Sequence, residues 1–420
     1  MGLLDKIFKL TSITNERICI AELLSYNDAV TLIHDATKIC WDKPPAKTYK
    51  EKKEFIRKRV ATGHESILEH GNIAMLLIID KKYLEDYASL SFRYLNTRIA
   101  NGYEDGEVVE YYILIGGSIR GYKHLFRSLT DRNNKCAQMI AKVLYQITPR
   151  EFWIDLIDDY VLKDRFTTIM TDHEFEEGRE PIEDEENYSE LHPVDSGSEL
   201  VEICNMDNIT DIENICDDFG FGMDDYLDMA TITIKFNNMS RIITQQLTRH
   251  RNGTTQASGR YIDLSDKVRF NSPDTFKDKY KGKTYNITIG GKAFNSLTLQ
   301  ELGDMLTPIY GQLIDQGLDR EDARGYLPQN SQCGPVYMTF TYRSLLKFLE
   351  LRTAKSAQAE IRMYANIIYN ALHEILEDKL HTTDLYCYLE PIYKSAELAN
   401  EATEVLETTE EIIEEDNKDD

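Results

Sequence analysis

The chain holds 420 residues, with 48 Lys and Arg against 72 Asp and Glu; the formal charge of −24 argues against a general nucleic-acid binder, which would be basic. An apolar fraction of 42% and an aromatic fraction of 10% suit a globular chain long enough to form more than one unit, and no 18-residue apolar window offers a membrane span. The charge is uneven: 172–229 carries 21 acidic residues and one basic, 395–420 carries 11 and one, and the remainder has 46 basic against 40 acidic. An anion-binding body inside an acidic wrapper is therefore allowed. The first six residues show neither the apolar region of a signal peptide nor the Ser or Thr of a myristoylation signal. The seven cysteines (Cys19, Cys40, Cys136, Cys204, Cys216, Cys333, Cys387) are scattered without a CxxC pair, so neither a zinc knuckle nor a disulfide framework is indicated. A reducing, cytoplasmic setting is expected.

Apolar periodicity predicts a helix over 21–39 and a charged surface helix over 50–61, separated by Pro44 and Pro45. The run 73–79 is apolar throughout and short enough for a buried strand. Helical spacing returns over 83–95, a second strand is expected at 111–115, and a helix over 121–145. From about 165 to 228 the chain turns acidic, with Pro181, Pro193 and several Gly and Ser, and reads as a solvated insertion. Residues 229–236 alternate as a half-buried strand does, and 240–249 follows as a short helix with Ser240 in the capping position. Helices are expected over 297–316 and 343–376, the second long. The segment beyond Lys394 is an acidic tail.

Several motif fragments fail on spacing. Lys281-Gly282-Lys283-Thr284 ends like a phosphate loop, but Lys277 stands where its first glycine belongs. Gly116-Gly117 and Gly290-Gly291 lack GxGxxG. His64-Glu65 with Glu69-His70 fits neither HExxH nor its inverse, because Leu68 and Ser66 occupy the decisive positions, and no metal is expected.

The densest cationic cluster is Arg249-His250-Arg251 followed by Ser258-Gly259-Arg260, where guanidinium forks suit phosphate, carboxylate or a heterocycle edge. Clamping a subunit interface is the alternative use of such arginines. Downstream lie Arg324, Arg343, Arg352 and Arg362. Nine residues at about 100° each put Arg343 and Arg352 on opposite faces of one helix, facing different partners.

These residues resemble the flavin-dependent thymidylate synthase family. Arg249-His250-Arg251, a spacer, then Ser258-Gly259-Arg260-Tyr261 is similar to its signature. Gly63 to His70 resembles its upstream Gly-His-Glu-Ser-x-x-Glu-His. The set Ala323-Arg324, Leu327-Pro328, Arg343-Ser344-Leu345, Phe348 to Arg352 and Ala357 to Arg362 resembles its C-terminal helix block, and 37–41 its N-terminal helix end. Together these span roughly 200 residues in the family's order. The resemblance implies an α+β fold, a mixed sheet flanked by helices with a long C-terminal helix and enlarged by an acidic insertion. It implies a homotetramer with active sites where subunits meet, and conversion of dUMP to dTMP with FAD as cofactor and NADPH and methylenetetrahydrofolate as co-substrates. It implies dUMP contacts at Gln246, Arg249, Gln256, Ala257, Ser258, Gly259, Arg260, Arg324 and Arg352. Flavin contacts are implied at Ser66, Glu69, Arg249, His250, Arg251, Asn252, Arg343 and Lys347. Arg352, Ser258 and His250 would stand at the reacting centre, Arg352 polarising the uracil and Ser258 positioning rather than attacking, since no base is evident beside it.

The corresponding division is an N-terminal α/β part at 1–100, an insertion at 101–228 that is acidic and partly disordered from about 165, the signature and helix block at 229–393, and the tail at 394–420. The family's flavin-free counterparts use a Cys after Pro, and no cysteine here follows a proline. Departures are a six-residue spacer where seven is commoner, and Thr341 and Lys347 where a flavin-contacting Asn is usual. They motivate an alternative, a non-catalytic nucleotide-binding relative that kept the arginine pocket.

Overall fold

The computed structural model describes residues 19–22, 29–41, 46–131, 134–153, 156, 195–207, 212, 216–265 and 268–379. The rest of the expected acidic insertion and the acidic tail lie outside these residues. The architecture is α+β, built on two four-stranded antiparallel sheets.

The first sheet has the order β1 (Cys19–Glu22), β2 (Asn72–Asp80), β4 (Glu107–Ser118), β3 (Asn96–Glu104). Strand β2 explains its own apolar run: Ile73, Met75, Leu77 and Ile79 enter one core, while Ala74 and Leu76 enter another. A strand buried on both faces has no polar side to show. The first core is covered by helices α1 (Ala29–Lys38), α2 (Tyr49–Ala61), α3 (Ile119–Arg127) and α4 (Lys135–Ile147). A capping box fixes the start of α2: Glu51 N–H donates to Thr48 Oγ1, and Thr48 N–H donates to the Glu51 carboxylate.

The second sheet has the order β5 (Val201–Met206), β6 (Thr231–Phe236), β10 (Val336–Thr341), β7 (Gly253–Gln256). Ile232, Ile234 and Phe236 of β6, the alternating positions, share the second core with Phe340 of β10. After β6 comes α5 (Arg241–Leu247), and after β7 a hairpin of β8 (Tyr285–Ile289) and β9 (Lys292–Leu297). Helices α6 (Leu299–Leu306) and α7 (Ile309–Asp315) precede β10, and α8 (Tyr342–Thr353) and α9 (Ala359–Lys379) follow it. Phe348 and Leu349 of α8 and Ile361, Ala365 and Ile368 of α9 close the second core.

Several expectations are corrected. The helix expected over 21–39 is Ala29–Lys38 alone, because Cys19–Glu22 pairs with β2. The helix expected over 83–95 is one turn, Leu84–Ala88, and β3 follows it. The helix expected over 297–316 is split by Pro308, whose missing N–H and fixed φ restart the chain at Ile309. The long helix expected over 343–376 is two helices: Ala354 adopts ψ 143°, and Arg362 Nη1 donates to the Lys355 carbonyl across the break at 2.5 Å. The solvated reading of 165–228 fails at Val201–Met206, a strand paired with β6 through Val201↔Phe236 and Ile203↔Ile234. Charge masked its alternation. Arg343 and Arg352 do lie on one helix and do meet different partners.

Two buried polar groups tie the elements together. Glu360, at the start of α9, accepts from Ser240 N–H and Oγ–H (both 2.7 Å) and from Asn271 Nδ2 (2.8 Å). Ser240 thus sits at the N-cap of α5 but spends its hydroxyl on Glu360. His70, fully buried, bridges Thr339 Oγ1 at 2.9 Å and Thr255 Oγ1 at 2.8 Å, and Thr339 continues to Thr233 at 2.7 Å. Burial lowers the His70 pKa from 6.5 to about 4.

Glu360→Ala strands three donors in the core and should destabilise the chain by about 3 kcal/mol, read as a lower urea midpoint at unchanged slope. For His70 the unfolded chain takes up a proton that the folded chain refuses. Stability present above pH 6.5 should therefore fall as pH drops towards 4, by up to about 3 kcal/mol in unfolding titrations. His70→Gln should flatten that part of the profile. An unchanged profile would mean the imidazole is protonated in the folded chain.

Candidate functional site

The cationic signature falls where β6, α5 and β7 meet the C-terminal helices. α5 runs into one tighter turn, Thr248–His250, and Arg251 leaves it in the left-handed conformation (φ 56°). That reversal starts β7. A Cβ on Gly253 would lie 2.7 Å from the Glu69 carbonyl, so glycine is what allows β7 to approach the upstream motif. β7 ends at Gln256, and the chain turns at Ser258, whose carbonyl accepts from Tyr261 N–H and Ile262 N–H, both at 3.0 Å.

That turn forms one wall of a cavity of about 310 Å3. Gln256, Ala257, Ser258 and Gly259 line it, and Arg324 faces them from 65 residues downstream in the chain. Five of the nine residues expected to hold a nucleotide thus meet in one place. Gly334 makes the fit possible, since a Cβ there would sit 2.3 Å from that of Ala257. Arg241 also lines the cavity and donates to the Arg324 carbonyl at 2.8 Å. It was missed by sequence reasoning because it is a single arginine at a helix start, outside either cluster. Cys333 on the wall donates to the Met239 carbonyl at 3.2 Å, and burial pushes its thiol up to about 12. Cys40, whose thiol reaches the Gln256 carbonyl at 3.3 Å, is pushed up to about 11 by burial.

Arg260 does not line this cavity. It is exposed and pairs with Glu321 at 2.8 Å. Gln246 donates from Nε2 to Gln358 Oε1 at 2.6 Å.

A second cavity, of about 420 Å3, takes Glu69, Arg251 and Asn252 from the expected flavin set. Arg120 lines it beside Glu69, with which it forms an ion pair, and Thr341, at the N-cap of α8, closes the far side. Asn252 Nδ2 is buried with no hydrogen-bond partner among the described residues. Arg120 and His124 were invisible as site residues in the sequence, lying in an ordinary amphipathic helix with no motif around them.

Arg249, His250 and Arg352 line neither cavity. Arg352 Nε approaches His250 Nε2 at 3.3 Å, and the His250 ring packs edge-on against Phe348 with centroids 5.2 Å apart. Burial and then the Arg352 charge lower the His250 pKa, so the ring is neutral near pH 7. Burial and then the Arg249 charge lower that of Arg352. Neither Arg249 nor Arg352 has a carboxylate partner among the described residues. Such crowding of like charges is favourable only beside an anion.

Three expected flavin residues are not gathered. Ser66 is exposed on a short helical turn. Arg343 is held by Asp228 (2.9 Å) and Asp224 (3.3 Å), and Lys347 is exposed and paired with Glu350 at 2.6 Å.

Residues 194–376 match the family model described as thymidylate synthase complementing protein. The chain is 31% identical over 183 residues to the flavin-dependent thymidylate synthase of Pyrococcus abyssi (strain GE5 / Orsay), covering 43% of this chain and 65% of that one. With the protein of the same name from Pyrococcus furiosus it is 33% identical over 150 residues, 35% of this chain and 56% of that one. With that of Dictyostelium discoideum it is 33% identical over 145 residues, 33% and 46% respectively. The chain thus spans less than two thirds of the length of each of these relatives. A crystal structure of Thymidylate Synthase X (ThyX) from Helicobacter pylori with FAD and dUMP overlays with a TM-score of 0.29 at 16% identity, covering 42% of this chain and 83% of that one, too loosely to place any residue. The stretch similar to the thymidylate synthase complementing protein family, residues 194–376, holds both the turn at Ser258 and the arginines that face it.

Proposed function

We propose that the chain is a flavin-dependent thymidylate synthase that reductively methylates dUMP to dTMP, with FAD as cofactor and NADPH and methylenetetrahydrofolate as co-substrates. The observation that carries this reading is the meeting of Gln256, Ala257, Ser258, Gly259 and Arg324 on one cavity. The turn at Ser258 offers hydroxyl and backbone groups to a nucleotide. Arg324, with Arg260 swung from Glu321, offers charge to its phosphate. Arg352, oriented by the neutral His250 ring, would set its guanidinium against the pyrimidine edge. There it stabilises the negative charge that develops as electron density moves to C5. No step needs a thiolate, and the thiols pushed up to about 12 at Cys333 and about 11 at Cys40 supply none near neutral pH.

The residues fit a flavin at the second cavity. Asn252 offers a buried donor that no group among the described residues takes, and Arg251 and Arg120 offer charge for a pyrophosphate. When bound, FAD supplies the hydride transfer, leaving the protein to orient and to balance charge. Arg343 and Lys347 would reach the flavin only by leaving their own carboxylates. The two cavities and the Arg249–Arg352 group do not merge within one chain. A site completed by a second copy, in a homotetramer, accounts for that division.

Dependence of NADPH oxidation on dUMP and methylenetetrahydrofolate, read together with dTMP formation and flavin absorbance, tests the reading. Arg352→Ala should lower kcat by about a hundredfold or more with flavin retained. Arg324→Ala should raise the KM for dUMP by about tenfold, with a smaller change in kcat. A protein that cannot be loaded with FAD but still binds dUMP would instead be a non-catalytic nucleotide-binding relative.

A further inference from the structure

A third cavity, of about 500 Å3, shares no lining residue with the two above. Phe276, Tyr280 and Tyr285 give it aromatic walls, and Asn330 and Gln358 give it amide groups. The volume lies in the range of small-molecule sites, and the lining mixes three aromatic rings with polar groups, among them Glu360, whose carboxylate is already taken by Ser240 and Asn271. Lys277 also lines it and is exposed. The segment 277–292 has five lysines against one aspartate in a chain whose formal charge is −24. Lys279, Lys281 and Lys283, all exposed, follow Lys277 on the same stretch. So concentrated a basic segment on an acidic protein suits an anionic ligand. Aromatic faces suit a flat heterocycle, and amides suit its polar edge.

We propose that this cavity is a second nucleotide site, taking a purine nucleotide with its base against the aromatic walls and its phosphate at Lys277. The room beside three rings favours a bicyclic base over a single ring. Two hydrogen bonds lead out of this cavity, one to Gln246 and one to Gln332 on the wall of the first cavity. Gln358 Oε1 accepts from Gln246 Nε2 at 2.6 Å, so a base engaging the Gln358 amide competes for the group that orients Gln246. Asn271, a lining residue, accepts from Gln332 Nε2 at 2.7 Å, and Gln332 lines the first cavity. Occupancy of the third cavity therefore changes affinity in the first, and by linkage the reverse holds. That coupling rests on the assignment of the first cavity to dUMP; the binding of a purine nucleotide does not.

Calorimetric titration of the full chain with AMP and with GMP tests the proposal, with adenosine, UMP and inorganic phosphate as separate arms. One site per chain for AMP or GMP is expected, with adenosine, UMP and phosphate each binding more weakly. Tyr280→Ala should weaken the nucleotide by about tenfold. Lys277→Ala, at an exposed position that folding does not depend on, should erase the preference for AMP over adenosine. Arg324→Ala should leave AMP and GMP binding unchanged, and saturating nucleotide should shift the Kd for dUMP in the parent chain. No heat from AMP or GMP at millimolar concentration would overturn the proposal. So would binding that survives both Tyr280→Ala and Lys277→Ala, or that is lost in Arg324→Ala. Nucleotide binding in a chain that ignores dUMP would keep this site while removing the thymidylate synthase reading.

Discussion

The buried carboxylate of Glu360 is the constraint on which the site depends. It draws the start of α9, the start of α5 and the Asn271 segment to one point through three hydrogen bonds. A carboxylate in a core is costly unless its lone pairs are satisfied, so these three donors are held in place by the same term that would penalise their loss. The consequence reaches the chemistry in both directions along the chain. From Ser240, α5 carries Arg241 to the first cavity and leads on to Arg249 and His250. From Glu360, two residues back, Gln358 meets Gln246. The break between α8 and α9 separates this anchor from Arg352, since a continuous helix would fix Arg352 and Glu360 in one rigid spacing. With the break, Arg352 is set by the packing of α8 and Glu360 by its own three bonds.

Steric permission does the complementary work on the other side of the cavity. Ala257 can lie beside the segment before β10 because Gly334 has no Cβ to meet it at 2.3 Å, and Ala257 N–H donates to the Pro335 carbonyl at 3.1 Å. Gly253 allows the same closeness to Glu69. His70, one residue beyond Glu69, then joins β7 to β10 through Thr255 and Thr339. The upstream Gly-His-Glu-Ser motif therefore has a structural part in placing the signature, through an imidazole whose burial disfavours its charged form.

Much of this was legible in the sequence, though unevenly. Strands β2 and β6 were visible because burial patterns are written directly in apolar spacing: both faces for one, alternate residues for the other. The cluster that lines the first cavity was visible because arginines, glycine and serine crowd one stretch. Helix ends were less legible. The α8–α9 break contains no proline or glycine, and the partners that hold Glu360 just beyond it, Ser240 and Asn271, lie 120 and 89 residues away, outside any local window. Strand β5 was hidden by Glu199 and Glu202, whose charge made an alternating Val201, Ile203 pattern read as solvated loop. Arg120 and Arg241 escaped notice because a lone arginine on an amphipathic helix has the same appearance whether it meets solvent or a cavity.

The acidic stretch sharpens the sorting of the arginines. Asp224, Asp225 and Asp228, part of what reads as a solvated wrapper, hold Arg343 and Arg98, with Arg98 Nη2 at 2.5 Å from Asp228 Oδ2. Glu321 holds Arg260 at 2.8 Å. These pairs stand at partly exposed positions, where a salt bridge contributes little stability and exchanges readily for another anion. Arg249 and Arg352 differ: each crowds the other, and no carboxylate of the described residues answers them. A chain with so large an acidic excess would find it easy to place one there. That no carboxylate of the described residues stands there leaves a local positive potential inside a negative protein, which draws a phosphorylated or electron-rich ligand to this point.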